Sequence, residues 1–401
     1  MILTEQQHQQ IHYYLLVLFA FCLLPLPRMA VLSLIGIGLN GLAGGYLWRY
    51  PQKAFGYWPL LMVAFYGVHL LGLYHTTNWP EASFDLETKL SFLLLPPVIF
   101  SVPFPRAARP TVFRSFVLGC LVATLYAYGA ATLTYWQTGL NGFYYKYLSG
   151  YLGAHPTYVA IYLNFVLFLL LEEWSRRRQQ ITGWGRMGRL VLSLHVVVFI
   201  VLLTARMQLL LLLLLLSISL LWYLLAQRKV GLAVLSVGGG LVLVATLAWT
   251  IPTTQKRMVE AYREFKDPQT ESNVRWAMWG LSVELIRESP WLGHGTGDVQ
   301  DELDRLYARD GVTKALESHF NAHNQYLQTS IDLGLLGLGI LLLNVLPPFW
   351  LALRRQKYIA VFFSALILLS MLTECILEVQ MGILFFVIFH CFLLLDLETS
   401  P

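Results

Sequence analysis

The chain of 401 residues is 57% hydrophobic and only 13% charged, and its formal net charge is +5 at pH 7. This balance, with a mean hydropathy of +0.58, excludes an ordinary soluble globular domain and indicates a polytopic membrane protein. The basic residues form no patch interleaved with aromatic residues in a soluble stretch, so the positive charge gives little support to nucleic-acid binding.

Apolar runs long enough to cross a bilayer recur along the chain. A spanning helix needs roughly 20 mostly apolar residues, and about twelve runs of this kind predict an all-α polytopic fold. We expect a single transmembrane domain over residues 1–401, within which residues 252–322 form a long helical segment in the periplasm. The predicted spans are residues 11–26, 29–48, 58–75, 84–104, 113–136, 158–174, 190–204, 207–225, 230–251, 324–351, 358–379 and 381–397.

A polar interruption divides the apolar stretch between residues 190 and 225. The sequence TARMQ at residues 204–208 would place the charge of Arg206 inside one very long helix, and such a charge is costly in lipid. We therefore predict a turn at Arg206 between two spans. A single tilted helix followed by an interfacial segment is the alternative.

The positions of Lys and Arg predict the orientation of the spans. Basic clusters occur in alternate loops, and short loops rich in Lys and Arg face the cytoplasm, together with both termini. The Arg206 turn, residues 137–156 and residues 252–322 then share the non-cytoplasmic side. The basic clusters are Arg49 with Lys53, Arg106 with Arg109 and Arg114, Arg176 to Arg178 with Arg186 and Arg189, Arg228 with Lys229, and Arg354 with Arg355 and Lys357.

The amino terminus and the cysteines carry little chemical information. Residues 1–10 are polar and the first apolar run has no small-residue cleavage site, so we expect a signal anchor that is not cleaved. All 4 cysteines lie within predicted spans, without a CxxC pair or metal-ligand spacing. No structural disulfide is predicted.

The segment over residues 252–322 is long for a connection, and long connections usually have a function. Residues 274–287 predict a helix that follows typical N-cap residues and ends before a Ser-Pro pair. Trp276 and Trp279 give this helix a broad apolar face, which suits a position at the membrane surface or over the ends of the spans.

Two polar features of this segment have both a structural and a functional interpretation. Arg275 either pairs with Glu271 four residues earlier or binds a ligand. In SPWLGHGTGDVQ, residues 289–300, alternating glycines surround His294. They either form a turn that positions the next helix or let the backbone contact a substrate directly. The loop is not a phosphate-binding Walker loop, because no Gly-Lys-Ser/Thr follows.

A histidine opens the tenth predicted span. In SHFNAHNQYLQ, residues 318–328, His323 stands where a polar turn meets an apolar helix. A neutral imidazole at this position can accept a proton from a hydroxyl group near pH 7. The alternative is a histidine that only reaches from a helix end to the interface.

Charged residues within predicted spans are further candidates. Glu374 and Glu378 are predicted one turn apart on the eleventh span, as functional residues or as structural partners of a buried Arg or Tyr. Glu87 and Lys89 are predicted to be interfacial, with substrate contact as the alternative. No DxD-like pair or ligand cluster occurs in the predicted outer loops, so no metal ion is predicted.

Four elements of the sequence occur together: Arg206 in a Thr-Ala-Arg turn, Arg275 opening a Trp-rich helix, P-x-L-G-x-G-x-G at residues 290–297, and H-N-x-x-L from His323 leading into D-L-G-L-L-G-L. Together they resemble the O-antigen ligase and polymerase family of bacterial membrane glycosyltransferases. The resemblance covers residues 190–339 best and the rest of the chain loosely. The extra soluble domain expected of protein-directed oligosaccharyltransferases is not found, which disfavours a protein acceptor.

The resemblance implies an O-antigen ligase that moves an undecaprenyl-diphosphate-linked glycan onto the lipid A-core oligosaccharide in lipopolysaccharide biosynthesis. It implies a site at the periplasmic face of the bacterial inner membrane, no cofactor, and a metal-independent, inverting reaction. Arg206 and Arg275 would bind the diphosphate, since guanidinium groups bind phosphate oxygens in a bidentate way. His323 would act as a base toward the acceptor hydroxyl or orient it. The candidates for supporting the site or lining the substrate cavity are Asn324, Trp279, His294 and Glu378.

Two other functions are considered. A polymerase of the same family would join lipid-linked repeat units, and sequence motifs do not separate it well from a ligase because both bind the same lipid diphosphate. A transporter of lipid-linked sugars should show polar residues along several span centres and a repeat between its halves. The candidate residues gather at one membrane face and no repeat is visible, which disfavours a transporter.

Overall fold

The computed structural model describes residues 3–103, 108–177, 183–226 and 271–398, with scattered positions between 228 and 239. Within these residues every regular element is a helix. The α-helices of the amino-terminal half are α1 (Glu5–Cys22), α2 (Pro27–Ala43), α3 (Tyr46–Arg49), α4 (Pro51–Ala54), α5 (Tyr57–Gly72), α6 (Trp79–Lys89), α7 (Ser91–Ser101), α8 (Arg109–Thr138), α9 (Tyr145–Gly150) and α10 (Pro156–Arg177). Those that follow are α11 (Gly183–Leu203), α12 (Arg206–Ala226), α13 (Glu271–Glu288), α14 (Val299–Arg309), α15 (Thr313–Glu317), α16 (Gln325–Arg354), α17 (Tyr358–Ser370) and α18 (Gln380–Glu398).

Several of the described helices are suited to a membrane. Six are long and apolar enough to cross one: Tyr57–His75, Arg109–Thr138, Pro156–Ser175, Gly183–Leu203, Gln325–Arg354 and Gln380–Leu397. The shorter apolar helices are Pro27–Ala43, Arg206–Ile218 and Tyr358–Ser370. The all-helical membrane fold is thus confirmed for the described part of the chain. The predicted span over residues 230–251 and the first part of the predicted outer segment, residues 252–270, lie outside the described residues.

The predicted turn at Arg206 is confirmed. α11 ends immediately before Thr204, which has a φ of 48°, and α12 begins at Arg206. On the first turn of α12 the Gln208 side chain is buried, and it hydrogen-bonds the side chains of Asn164 on α10 and Ser370 on α17. The polar residues of this stretch therefore lie at helix ends, where neighbouring helices satisfy the side chain of Gln208.

The predicted span over residues 84–104 does not form one continuous helix. The chain forms two helices here, α6 and α7, which meet at Leu90. α6 carries several charged side chains, and α7 is apolar but only 11 residues long. Lys89, predicted to be interfacial, is fully buried, because its ammonium group pairs with the carboxylates of Asp85 and Glu378. The two carboxylates replace water as partners of the buried ammonium group.

The predicted span over residues 358–379 is likewise not one continuous helix. α17 ends at Ser370, and a turn and a short 3-10 helix over Ile376–Glu378 follow it. Glu374 and Glu378 therefore do not lie one turn apart on one helix. The backbone can leave the helix here because Gln325 is buried beside it. The Gln325 N–H donates to the Met371 carbonyl, and the Gln325 side-chain oxygen accepts from a backbone N–H of the 3-10 helix. Irregular backbone is tolerated in membrane proteins where other protein groups satisfy it.

An aromatic core holds the centre of the bundle. Rings from α8, α10, α17 and α18 pack at the edge-to-face distances that favour aromatic pairs. Phe116 and Phe389 have ring centroids 4.7 Å apart, and Phe165 and Phe363 have centroids 5.2 Å apart. α10 and α18 are therefore central helices. This core also fixes where the start of α10 and the turn before α18 lie.

The described part of the predicted outer segment forms a second, smaller core. The predicted helix over residues 274–287 is confirmed as α13. Buried side chains of α13, α14 and α15 pack with Ile331 of α16. Arg309 on α14 donates hydrogen bonds of 2.5 and 2.9 Å to Glu284 on α13, and these bonds hold the pKa of Glu284 below its ordinary value. The contact with Ile331 places this second core on the first turns of α16.

Candidate functional site

A guanidinium group, an imidazole and a carboxylate meet at one end of the helix bundle. Arg275 Nη2 on α13 lies 3.9 Å from Glu374 Oε1. His323 Nδ1, two residues before α16, lies 3.7 Å from Glu374 Oε2. Thr157 Oγ1 at the start of α10 donates a hydrogen bond of 3.5 Å to Glu374 Oε1. We call Arg275, His323 and Glu374 the Arg-His-Glu site.

The Arg-His-Glu site is open on one side. The side chains of Arg275 and His323 are 29% and 25% exposed, whereas that of Glu374 is 13% exposed. Both contacts are too long for tight hydrogen bonds, so the Arg275 guanidinium keeps N–H donors for a ligand. The carboxylate is the least exposed of the three groups and contacts both of the others.

The backbone around His323 is held on both sides by two of the predicted supporting residues. His323 has a φ of 44°, which is uncommon for a residue other than glycine. Trp279 Nε1 donates to the carbonyl of Ala322 at 3.0 Å. Asn324 is the N-cap of α16, and its Oδ1 accepts from two backbone N–H groups of the first helical turn at 3.0 and 3.2 Å. Such a cap contributes about 1 kcal/mol, so the backbone on both sides of His323 is fixed by the fold.

Arg206 lies at the same end of the bundle. It is exposed on the first turn of α12, two residues before Gln208. Gln208 Nε2 donates to the hydroxyl oxygen of Ser370 at 3.0 Å, and the Ser370 carbonyl accepts from the Glu374 N–H at 3.0 Å. The structure therefore brings Arg275 and His323 to a shared carboxylate and connects the Arg206 turn to the segment that carries this carboxylate.

The glycine-rich loop exchanges hydrogen bonds with α16. Within α16, Gly334 is non-helical, with a φ of 64° and a ψ of −163°. The two N–H groups after Gly334 donate to the carbonyls of Pro290 and Trp291 at 2.8 and 3.4 Å, in place of their helical acceptors. The two released helical carbonyls accept from the N–H groups of His294 and Gly295 at 2.7 and 3.1 Å. The loop thus satisfies these four backbone groups, which the kink releases from helical bonding.

We call this exchange of hydrogen bonds between the glycine-rich loop and α16 the interlock. It requires glycine in both segments. A Cβ atom on Gly293 would lie 2.2 Å from the carbonyl oxygen of Asp332, and one on Gly334 would lie 2.3 Å from the carbonyl carbon of Trp291. The His294 ring donates from Nε2 to the Leu285 carbonyl at 2.9 Å, which ties the loop to α13. The turn interpretation therefore explains the motif, and direct contact between His294 and a substrate stays a prediction.

Glu378 faces a different set of partners. Its carboxylate accepts from Lys89 Nζ at 2.6 Å and from Gln325 Nε2 at 2.8 Å. The structure thus places Glu374, rather than the predicted supporting residue Glu378, beside Arg275 and His323. The sequence carries no signal that separates the two carboxylates, because the direction in which each points depends on how the chain turns after α17.

The apolar helices define a multi-pass membrane protein, and the cationic groups at one end of its bundle suit an anionic ligand. Residues 190–342 match the family model described as O-antigen ligase, which supports assignment of the chain to the O-antigen ligase family. The resemblance inferred from the motifs is thereby confirmed, and the family implies a membrane glycosyltransferase-like enzyme. The match contains Arg206, Arg275 and His323, whereas Glu374 lies outside it.

The chain is also similar to an uncharacterized protein of Haemophilus influenzae. The two are 28% identical over 93 residues, which make up 23% of each protein. Because the match spans less than a quarter of that relative, it shows a local similarity and says nothing about the function of the whole protein.

Proposed function

We propose that this protein is an O-antigen ligase that transfers an undecaprenyl-diphosphate-linked glycan to the lipid A-core oligosaccharide. The contact of Arg275 and His323 with one carboxylate carries the proposal, because it joins an anion-binding group and a proton acceptor in one open site. The family match supports the coarser statement that the protein is a membrane glycosyltransferase-like enzyme.

The donor binds through its diphosphate. Arg275 and Arg206 donate charge-assisted hydrogen bonds to the phosphate oxygens, and their charge does not depend on pH in the physiological range. When the bond between the anomeric carbon and the diphosphate oxygen breaks, negative charge builds up on the diphosphate. Guanidinium groups already in place stabilise that charge without reorganisation of solvent. No metal ion takes part in this step.

The acceptor hydroxyl attacks from the opposite face of the sugar. A bond forms between the hydroxyl oxygen and the anomeric carbon, and undecaprenyl diphosphate leaves, so the configuration at that carbon inverts. His323 takes the proton of the attacking hydroxyl, which is the role of a general base. Glu374 positions both His323 and Arg275 and does not itself touch the reacting atoms.

The proposed topology follows the sequence. About twelve spans cross the inner membrane, both termini are cytoplasmic, and the Arg-His-Glu site faces the periplasm. The chain is one transmembrane domain over residues 1–401, and residues 252–322 cover the substrate cavity from the periplasmic side. The lipid chain of the donor enters laterally between spans from the surrounding membrane lipids.

The proposal is tested by identifying the product. The purified protein in nanodiscs receives labelled undecaprenyl-diphosphate-linked glycan and either lipid A-core or a second, unlabelled lipid-linked glycan. A ligase yields labelled lipid A-core and leaves the second donor unextended. Extension of the lipid-linked glycan would instead identify the polymerase of the same family, and absence of both products from folded protein that binds the donor would contradict either enzyme.

A further inference from the structure

A second polar cluster lies between α5, α6 and α16 and contains none of the residues of the Arg-His-Glu site. His69 Nδ1 lies 3.4 Å from Asp85 Oδ2 and 3.3 Å from Asp332 Oδ2. Each of the three residues offers one ligand atom, and these atoms all lie within 4.8 Å of one another. We call these residues the histidine-aspartate cluster. The sequence gives no spacing signal for it, because its members come from three separate helices.

Four polar atoms of this cluster are buried without hydrogen-bond partners among the described residues. His69 is 1% exposed and neither of its ring nitrogens has such a partner. Asp332 is 5% exposed and its Oδ1 also lacks one, as does Asp85 Oδ2. Buried polar atoms in proteins are nearly always satisfied, and one left without a partner is unfavourable. The cluster is therefore shaped for a group that it binds.

The cluster also carries an excess of negative charge. Asp85, Asp332 and the neighbouring Glu378 supply three carboxylates, and Lys89 lies close enough to act on all of them. These carboxylates outnumber the single ammonium group by two. Excess negative charge in a largely buried cluster is unfavourable, and a divalent cation would offset it.

The distances between the ligand atoms fit a small divalent ion. Zinc bound by histidine nitrogen and carboxylate oxygen has bonds of about 2.0–2.1 Å in tetrahedral geometry, which places neighbouring ligand atoms about 3.3–3.4 Å apart. The two His69 distances, 3.4 and 3.3 Å, match this separation. Lys89 binds the other oxygen of Asp85, so it can orient the ligating carboxylate from the second coordination sphere.

We propose that His69, Asp85 and Asp332 bind a divalent metal ion of the zinc type, with water as a fourth ligand. The ion joins α5, α6 and the first turns of α16, beside the interlock with the glycine-rich loop, since Thr296 Oγ1 donates to the His69 carbonyl at 2.9 Å. Its role is structural, and the inference does not rest on the proposed glycan transfer. The ion stabilises the part of α16 that follows His323.

Metal content and thermal stability test this site. Protein purified without chelator should contain about one zinc ion per chain, measured by inductively coupled plasma mass spectrometry. Chelation should remove the ion and lower Tm by several degrees, and added Zn²⁺ should restore Tm. His69→Gln and Asp332→Asn should each contain less than a tenth of the wild-type zinc. Wild-type protein that contains no metal and shows no change in Tm with Zn²⁺ would overturn the proposal.

A matched control uses the other possible ligand group in the described residues, Glu288, His294 and Glu302, which is more exposed. Glu302→Gln should keep the full zinc content, and loss of zinc in this variant would move the site and contradict the assignment. Transfer is measured separately on chelated protein that remains folded. If transfer persists, both proposals stand. If chelated protein loses transfer although unchelated wild-type protein contains about one zinc ion per chain, the proposal of a metal-independent reaction is contradicted. The proposal of the zinc site then still stands.

Discussion

Replacing Arg275 by alanine should lower kcat/KM for glycan transfer by about 100-fold or more. Removal of one preorganised group that stabilises transition-state charge typically has an effect of this size. Arg275→Lys should recover little of the activity, because an ammonium group cannot bind two phosphate oxygens in the planar, bidentate way of a guanidinium group. Initial rates over a range of donor concentrations measure both variants.

Two further variants separate this role from general damage to α13. Arg287 is exposed on the same helix, and Arg287→Ala should leave kcat/KM within about twofold of wild type. Glu374→Gln keeps the shape of the side chain but removes the charge that faces Arg275 and His323. It should lower transfer by about tenfold with an unchanged Tm. Equal losses in Arg287→Ala and Arg275→Ala would contradict a specific role for Arg275.

Replacing Gly334 by alanine should destabilise the protein by at least about 3 kcal/mol. Gly334 has a positive φ, and a Cβ atom there would lie 2.3 Å from the Trp291 carbonyl carbon. The loop and α16 would have to separate, and the exchanged hydrogen bonds would be lost. Thermal unfolding in detergent or nanodiscs should show a Tm lower by several degrees.

Gly339 provides the matched control for this prediction. It lies in the same helix, and a Cβ atom there would meet no atom within 4 Å. Because alanine favours a helix over glycine by about 1 kcal/mol, Gly339→Ala should leave Tm unchanged or raise it slightly. A Gly334→Ala variant as stable as Gly339→Ala would mean that the interlock contributes nothing to the fold.

Local sequence patterns predicted several features correctly. The TARMQ interruption predicted the break between α11 and α12, and the Trp-rich stretch after residue 273 predicted α13. In both places a change in polarity along a few residues decides the structure, so the sequence is sufficient. The family resemblance likewise depended on short motifs, and the match over residues 190–342 agrees with it.

Features that depend on distant contacts were not predictable. The breaks in the helices predicted over residues 84–104 and 358–379 were missed because hydropathy cannot distinguish a lipid-facing helix from apolar chain that is buried by other protein elements. Lys89 lies in an apolar environment only because Asp85 and Glu378 meet it there. The Arg-His-Glu site draws one of its members from a turn about fifty residues beyond His323, and the histidine-aspartate cluster is drawn from three helices.

The glycine motif shows a similar limit. The sequence predicted a turn, and the turn exists, but its partner could not be inferred. Only the three-dimensional structure reveals that the carbonyls released at Gly334 are those that the N–H groups of His294 and Gly295 reach. The glycines in P-x-L-G-x-G-x-G and in D-L-G therefore serve one contact between two motifs that lie about forty residues apart.

The most direct test of the proposed mechanism is a comparison of donor binding and glycan transfer by His323→Ala. The variant is purified in nanodiscs with wild-type protein, and both receive undecaprenyl-diphosphate-linked glycan and lipid A-core. If His323 serves the chemistry, the variant binds donor with an affinity within a few-fold of wild type and loses transfer by about 100-fold or more. Near-wild-type transfer by a folded His323→Ala protein would contradict the mechanism and reduce His323 to a structural residue at the start of α16.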